Sequence, residues 1–158
     1  VGTARQGLSA LGYGGDKAIF GYGTTGSRVS LTNLVNNSGV VAADVTGVGT
    51  ARNELAGASY GGDKGIFGYG STSGRVSMTN LVSNVGVVSS DVSGVGSARR
   101  FPSAASYGGD KAIFGYGNTS SNTAITNLVN NSGVVAADVS GVGTAREELA
   151  AAGFSLST

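Results

Sequence analysis

Three residue types that could contact a ligand recur together in this chain: a tyrosine, an aspartate and a lysine around a pair of glycines. The stretch YGGDKAIFGYG occupies residues 13–23 and returns at 60–70 and 107–117, with one alanine changed to glycine in the middle copy. A tyrosine ring can stack on a sugar while its hydroxyl hydrogen-bonds the ring substituents, and repetition makes such a site multivalent. The candidate ligand-binding residues are therefore Tyr13, Asp16, Lys17, Tyr60, Asp63, Lys64, Tyr107, Asp110 and Lys111.

The same residues have an ordinary structural interpretation, which we favour for each of them. Asp16 follows two glycines, and aspartate suits a turn because its carboxylate bonds nearby backbone N–H groups. Lys17 would begin a strand and point into solvent, and Tyr13 would pack half-buried inside the fold. Ligand contact stays open as the alternative.

A second charged set marks the places where one unit passes into the next. Each aspartate of this set lies eight residues before an arginine, so we expect structural charge pairs with ligand binding as the alternative. The residues are Asp44, Arg52, Asp91, Arg99, Asp138 and Arg146.

Several site chemistries are excluded by composition. The chain has no cysteine and no histidine, so it offers no thiolate nucleophile, no disulfide and no conventional zinc site. Gly21–Gly26 fits the dinucleotide-binding pattern G-x-G-x-x-G, but a strand-like segment follows it and not a helix. We therefore expect no metal and no cofactor. The net charge of +1 and the lack of a long apolar run predict neither nucleic acid nor a membrane as partner.

The elements that must position these residues are set by an internal repeat of 47 residues. The units are residues 1–47, 48–94 and 95–141, followed by a partial fourth copy at 142–158. In that copy Phe154 stands at the position of Tyr13. Because the sequence begins in mid-repeat at Val1, we expect a processed product or a piece of something longer.

Each unit divides into four short segments separated by turn signals. In the first unit they are residues 4–13, 17–23, 28–35 and 40–45, with apolar and polar residues alternating in the second. The 29 glycines disfavour long helices and suit tight turns. A helix over 40–58 is the alternative, but three glycines interrupt it. The sequence predicts an all-β chain with four strands per unit.

The unit resembles the Kelch repeat of β-propellers. In that pattern an arginine opens an innermost strand, as Arg5 does here, and a glycine pair closes the second strand, as in Gly21-Tyr22-Gly23. The tryptophan usual in the fourth strand is missing. The resemblance implies four-stranded blades, and a β-solenoid of stacked coils is the alternative. The near-identical copies also resemble repeat arrays of phage and environmental viral proteins.

Three blades do not close a ring, because propellers have about four to eight. We expect two chains to form a six-bladed homodimer, in keeping with the preference for closed symmetry. Residues 142–153 duplicate 1–12, so two segments compete for one innermost-strand position at each junction. We expect 142–153 to close the first blade of the partner, with the reverse assignment as the alternative.

We predict no enzymatic activity. Sialidase propellers hold a carboxylate with clustered arginines and use a tyrosine nucleophile beside an acid, for which Tyr22 and Asp16 could serve. Every unit carries both residues, however, and enzymes seldom repeat a catalytic centre. The predicted function is recognition, with carbohydrate as the ligand and a phage or bacterial surface structure, on the virion or outside the cell, as the setting. The alternative is a structural repeat array with no ligand.

Overall fold

The chain is all-β in the part that the structure describes. A computed structural model describes residues 2–153, so Val1 and Phe154 lie outside the described residues. No helix occurs in the described range, which confirms the all-β part of the predicted fold class. The strands are β1 (Ser9–Tyr13), β2 (Lys17–Gly21), β3 (Thr32–Val35), β4 (Ala56–Tyr60), β5 (Lys64–Gly68), β6 (Thr79–Val82), β7 (Ser103–Tyr107), β8 (Lys111–Gly115) and β9 (Thr126–Val129).

Each repeat contributes one antiparallel sheet of three strands, in the orders β1-β2-β3, β4-β5-β6 and β7-β8-β9. The register is the same in all of them. In the first sheet Leu11 pairs with Ile19 and Ile19 pairs with Leu34, and the corresponding pairs recur in the other two. Identical local sequence therefore gives identical local structure.

The turn between the first two strands depends on its glycine pair. Gly14 has a φ of 61° and Gly15 a φ of 80°, in the left-handed region that side chains disfavour. The two equivalent glycine pairs have the same conformation. The turn lies where Gly-Gly-Asp predicts it.

The structure has three strands per repeat where the sequence predicts four. The predicted fourth strand forms an outer segment that is joined to the third strand by two isolated bridges, at residues 40–45, 87–92 and 134–139. In the first repeat these bridges leave Asn33 and Leu34 facing three residues, 42–44. The extra residue interrupts the ladder in the manner of a β-bulge. Asn33 Nδ2 then donates to the carbonyl oxygen of Ala42 at 3.2 Å, which replaces a ladder hydrogen bond.

The sheets stack in chain order, with β4 packed between β1 and β7. Backbone hydrogen bonds cross each junction, which we define as the contact between consecutive repeats. Gly14 N donates to the carbonyl oxygen of Asp63 at 2.6 Å, and Gly61 N donates to that of Asp110 at 2.7 Å. The side chain of Ser59 also donates to the carbonyl oxygen of Gly12 at 2.8 Å.

The hydrophobic core lies in the junctions. One buried cluster joins residues of the first two repeats, and its members are Leu11, Tyr13, Ile19, Tyr22, Leu55, Phe67, Val82 and Val88. A second cluster joins the middle and third repeats in the same way. A single repeat cannot bury its own apolar faces, so stability depends on its neighbours.

The segment at 142–153 packs against the third repeat without forming a regular strand. Gly117 N donates to the carbonyl oxygen of Arg146 at 3.0 Å, as Gly70 N does to that of Arg99 at 2.9 Å. The segment therefore occupies the position that the start of a following repeat takes at the internal junctions.

Candidate functional site

The aspartate and lysine of the repeated motif pair with each other. Asp16 Oδ1 lies 2.6 Å from Lys17 Nζ, and both side chains are partly exposed. Asn37 Nδ2 donates to the other carboxylate oxygen of Asp16 at 3.2 Å. The hydrogen bond from Lys17 is the main cause of the lowered pKa of Asp16, and the bond to Asp16 is the main cause of the raised pKa of Lys17. Both groups are charged at neutral pH.

The equivalent pairs in the other repeats have the same arrangement. Asp63 lies 3.3 Å from Lys64, and Asp110 lies 2.7 Å from Lys111. Such exposed pairs contribute little to stability, because solvent screens them. Three like-built charge pairs thus lie on the surface at the strand turns.

The tyrosines that begin the motif differ in their exposure along the chain. Tyr13 and Tyr60 are each only 4% exposed, whereas Tyr107 is 36% exposed. The ring of Tyr13 packs against the backbone at Gly86, where a Cβ would come within 2.9 Å of Tyr13 Cζ. Tyr60 packs on Gly133 in the same way. The turn of the following repeat covers each of these two rings, and the third ring has no such cover among the described residues.

A groove of about 410 Å³ opens at the junction between the first two repeats. We call it the junction groove, and its lining residues are Tyr13, Lys17, Leu34, Asn36, Val40, Ala42, Asn84 and Val85. Its size falls in the range of small-molecule sites, roughly 300–1,000 Å³. The groove brings two of the predicted site residues, Tyr13 and Lys17, together with amide groups and an apolar wall.

The far wall of the junction groove comes from the next repeat. Gly14 approaches Asn84 so closely that a Cβ on it would stand 2.9 Å from the Asn84 carbonyl oxygen. Sequence reasoning missed Asn84 and Val85, because they join Tyr13 only when the sheets stack. The available signal was Asn37, Asn84 and Asn131, one asparagine at the same position of every repeat.

The corresponding positions at the next junction carry more hydroxyl groups. The residues 47 positions further along the chain keep the tyrosine and the lysine of the groove. Three others change to serine: Asn36 to Ser83, Ala42 to Ser89 and Val85 to Ser132. Both junctions therefore carry a lysine at this place, but the lining of the second is more polar than that of the first.

The repeated arginines lie inside the junctions. The side chain of Arg52 is fully buried, and its Cζ lies 4.2 Å from the centroid of the Tyr22 ring in the preceding repeat. Phe67 meets the same ring edge-on, with centroids 5.3 Å apart. Arg52 Nε donates to the carbonyl oxygen of Tyr69 at 3.0 Å. Burial lowers the pKa of Arg52 and raises that of Tyr22, so the phenol stays neutral beside the cation.

The second junction repeats this stack with Arg99, Tyr69 and Phe114. Arg146 also lies over Tyr116, with its Cζ 4.4 Å from the ring centroid. Tyr22, considered above as a nucleophile, is thus enclosed between an arginine and a phenylalanine of the next repeat.

The aspartates of the second charged set accept hydrogen bonds from residues of their own repeats. Asp44 accepts hydrogen bonds from the Thr3 hydroxyl at 2.5 Å, from Thr3 N at 2.9 Å and from Asn33 Nδ2 at 2.9 Å. These bonds lower the pKa of Asp44, and the bond from the Thr3 hydroxyl is the largest cause. The acidic neighbour of Arg52 is Asp91, 4.0 Å from Nη1. Arg52 is therefore paired with the aspartate of its own repeat, whereas the sequence spacing had suggested Asp44.

The other members of this set are arranged in the same way. Ser97 N donates to Asp138 at 3.0 Å, and Asn127 Nδ2 donates to it at 3.0 Å. For both Asp91 and Asp138, burial raises the pKa, but the hydrogen bonds outweigh burial and the net shift is downward. Each aspartate ties the start of its repeat to the outer segment.

Residues 2–153 contain no cluster of three or more histidine, cysteine, aspartate or glutamate side chains that could hold a metal ion. Within the same range no helix is long and apolar enough to cross a membrane. Neither a family model nor a curated protein sequence matches the chain.

Proposed function

We propose that this chain is a non-enzymatic recognition module that binds carbohydrate in the junction groove. The observation that carries the proposal is the composition of the groove, in which Tyr13 and Lys17 of one repeat face Asn84 and Val85 of the next. Sugars present apolar C–H faces beside hydroxyl groups, and a groove with both kinds of wall suits them.

Each wall of the groove has a distinct part in this proposal. Leu34, Val40 and Ala42 form an apolar side on which a sugar ring can lie. Lys17 offers an ammonium group at the rim, already held by Asp16. Asn36 lines the groove from a turn in which its Oδ1 accepts a hydrogen bond from Val40 N at 2.9 Å.

The proposal includes a propeller-type assembly. The stacked sheets and the outer segments bridged to β3, β6 and β9 support reading each repeat as a Kelch-like blade with a bulged fourth strand. Two copies would complete a six-bladed ring, with 142–153 of one chain taking the innermost position beside the first sheet of the other. We place such a module in a phage or bacterial surface structure, on the virion or outside the cell.

A glycan array probed with the purified protein tests the proposal, followed by titration of the best ligand. Lys17→Gln is expected to weaken binding by about tenfold or more, the value of one hydrogen bond to a charged group. Lys64→Gln at the next junction is the matched control and should leave affinity unchanged. Equal losses in both variants, or no loss in either, would remove the junction groove as the site.

A further pair of substitutions tests the apolar wall with residues that the chain itself uses elsewhere. Ala42→Ser with Val85→Ser converts the first groove to the lining of the second, and both positions are exposed. We expect the fold to be retained and affinity to fall. Retained affinity would show that the wall does not contact the ligand.

The structural-array alternative is favoured by two observations. The Tyr13 and Tyr60 rings are covered by the following repeat, and the Asp–Lys pairs satisfy each other. Under this alternative the repeated motif serves stacking alone. Absence of binding to every glycan on the array would favour it.

A further inference from the structure

An aromatic side chain fills the same slot at both internal junctions. Phe67 lies over Gly21, where a Cβ would stand 2.8 Å from Phe67 Cζ. Phe114 lies over Gly68, where a Cβ would stand 2.7 Å from Phe114 Cζ. Both phenylalanines have 0% exposure. A glycine at the end of the middle strand therefore makes room for the ring from the next repeat.

The third slot has no such occupant among residues 2–153. A Cβ on Gly115 would meet only Thr126 Cγ2 within 4 Å, at 3.3 Å. A cavity of about 100 Å³ lies there, and its lining includes Ala104, Ile113, Tyr116 and Leu149. Within the part of the chain that the structure describes, the slot is thus open and apolar.

The first sheet carries the phenylalanine that would fit such a slot, but no preceding repeat supplies a slot for it among the described residues. Phe20 is the equivalent of Phe67 and Phe114, but it is partly exposed where they are buried. The open end of the last sheet shows the complementary pattern, because Tyr107 and Leu128 are exposed there. In the first repeat the turn at Gly39 corresponds to the turn at Gly86 that covers Tyr13.

We propose that the slot at Gly115 and Tyr116 binds Phe20 from a second copy of this chain. The second copy then docks its first sheet on the last sheet, as β4 and β5 pack on β1 and as β7 and β8 pack on β4. The chain makes this contact twice within itself, and among residues 2–153 one slot and one ring are left unused, so a second copy would continue the same contact. The inference rests on the pairing of two copies proposed above and names the side chains that make it.

Residues 142–153 already supply part of this junction, including Arg146 over Tyr116. They occupy the position that β1 of the second copy would take in the dimer, so one of these two segments must be displaced. The sequences VGTAREELAAAG and VGTARQGLSALG are identical in their first five residues. Exchange of such similar segments costs little free energy, as in domain swapping.

Light scattering after size exclusion tests the interface, with circular dichroism to show that each variant is folded. Phe20→Ala removes the ring, and Gly115→Val places a side chain in the slot, where its Cβ would meet only Thr126 among the described residues. Each is expected to raise the dimer dissociation constant by about 100-fold or more, since burial of a phenylalanine is lost at both symmetric junctions. Gly74→Ala is the control, because nothing lies within 4 Å of that position.

Mixing the two variants gives a sharper test. Alanine at position 20 leaves room for valine at position 115, and the other junction of the mixed pair has an intact ring and slot. We expect the mixture to dimerise within about tenfold of the wild-type constant. A wild-type monomer would overturn both the pairing and this interface. A wild-type dimer that both variants leave unchanged would overturn the interface and leave the pairing standing.

Discussion

Truncation of Phe67 to alanine tests whether the junctions hold this protein together. Phe67 has 0% exposure, meets Tyr22 edge-on and fills the space over Gly21. Loss of a fully buried phenylalanine costs about 3–5 kcal/mol, which includes the cavity that is left. Because a domain has only about 5–15 kcal/mol of stability, that loss is a large fraction of the total.

The assay is urea denaturation followed by circular dichroism, with thermal unfolding beside it. At roughly 4 kcal/mol, and about 2–4 °C per kcal/mol for a chain of this size, the melting temperature should fall by about 8–16 °C. Phe67→Leu keeps most of the volume and loses the aromatic edge, so we expect a cost of about 1–2 kcal/mol. Val85→Ala, at a position 70% exposed, should change stability by less than about 0.5 kcal/mol.

The outcome also reports on coupling between repeats. If the junction is the unit of stability, Phe67→Ala should lower the denaturant dependence as well, because the repeats then unfold separately. A cost for Phe67→Ala below about 1 kcal/mol, equal to that of Val85→Ala, would refute the claim that the core lies in the junctions.

Three further predictions concern stability. Gly68→Ala should cost about 1–3 kcal/mol, because its Cβ would overlap Phe114, and Gly74→Ala should be neutral or slightly stabilising in the same urea titration. Tyr69→Phe removes the hydroxyl that donates to the Val95 carbonyl oxygen at 3.2 Å and should cost about 1 kcal/mol by thermal unfolding, with retained stability counting against that bond. The folded pKa of Asp91 lies below its usual 3.8, so the stability that its carboxylate contributes is complete above pH 3.8 and is lost as the pH falls through the folded pKa. Asp91→Asn should therefore make the free energy of unfolding less dependent on pH in acid. An unchanged pH dependence in acid would contradict this.

Much of the fold follows from local sequence. The glycine pair at Gly14 and Gly15 needs positive φ, so the first turn can be located from the residues alone. The alternation around Ile19 predicts a strand, and the repeat predicts that each sheet recurs. The fourth strand could not be predicted correctly, because its bulge opposite Asn33 depends on one side chain bonding Ala42 across the ladder.

The candidate site depends on the stacking of the repeats more than the strands and turns do. The sequence by itself determined the repeat, the all-β class, the turns and the absence of histidine and cysteine chemistry. Only the tertiary structure decided that Tyr13 is covered, that Asn84 joins the groove, and that Arg52 pairs with Asp91 rather than with Asp44. The physical reason is the distance in sequence between the interacting residues. A turn or a strand is set by residues close in sequence, whereas burial and charge pairing depend on contacts with the next repeat. Identical motifs therefore differ at the ends of the stack, where Phe20 and the slot at Gly115 lack, among the described residues, the partner that each internal junction supplies.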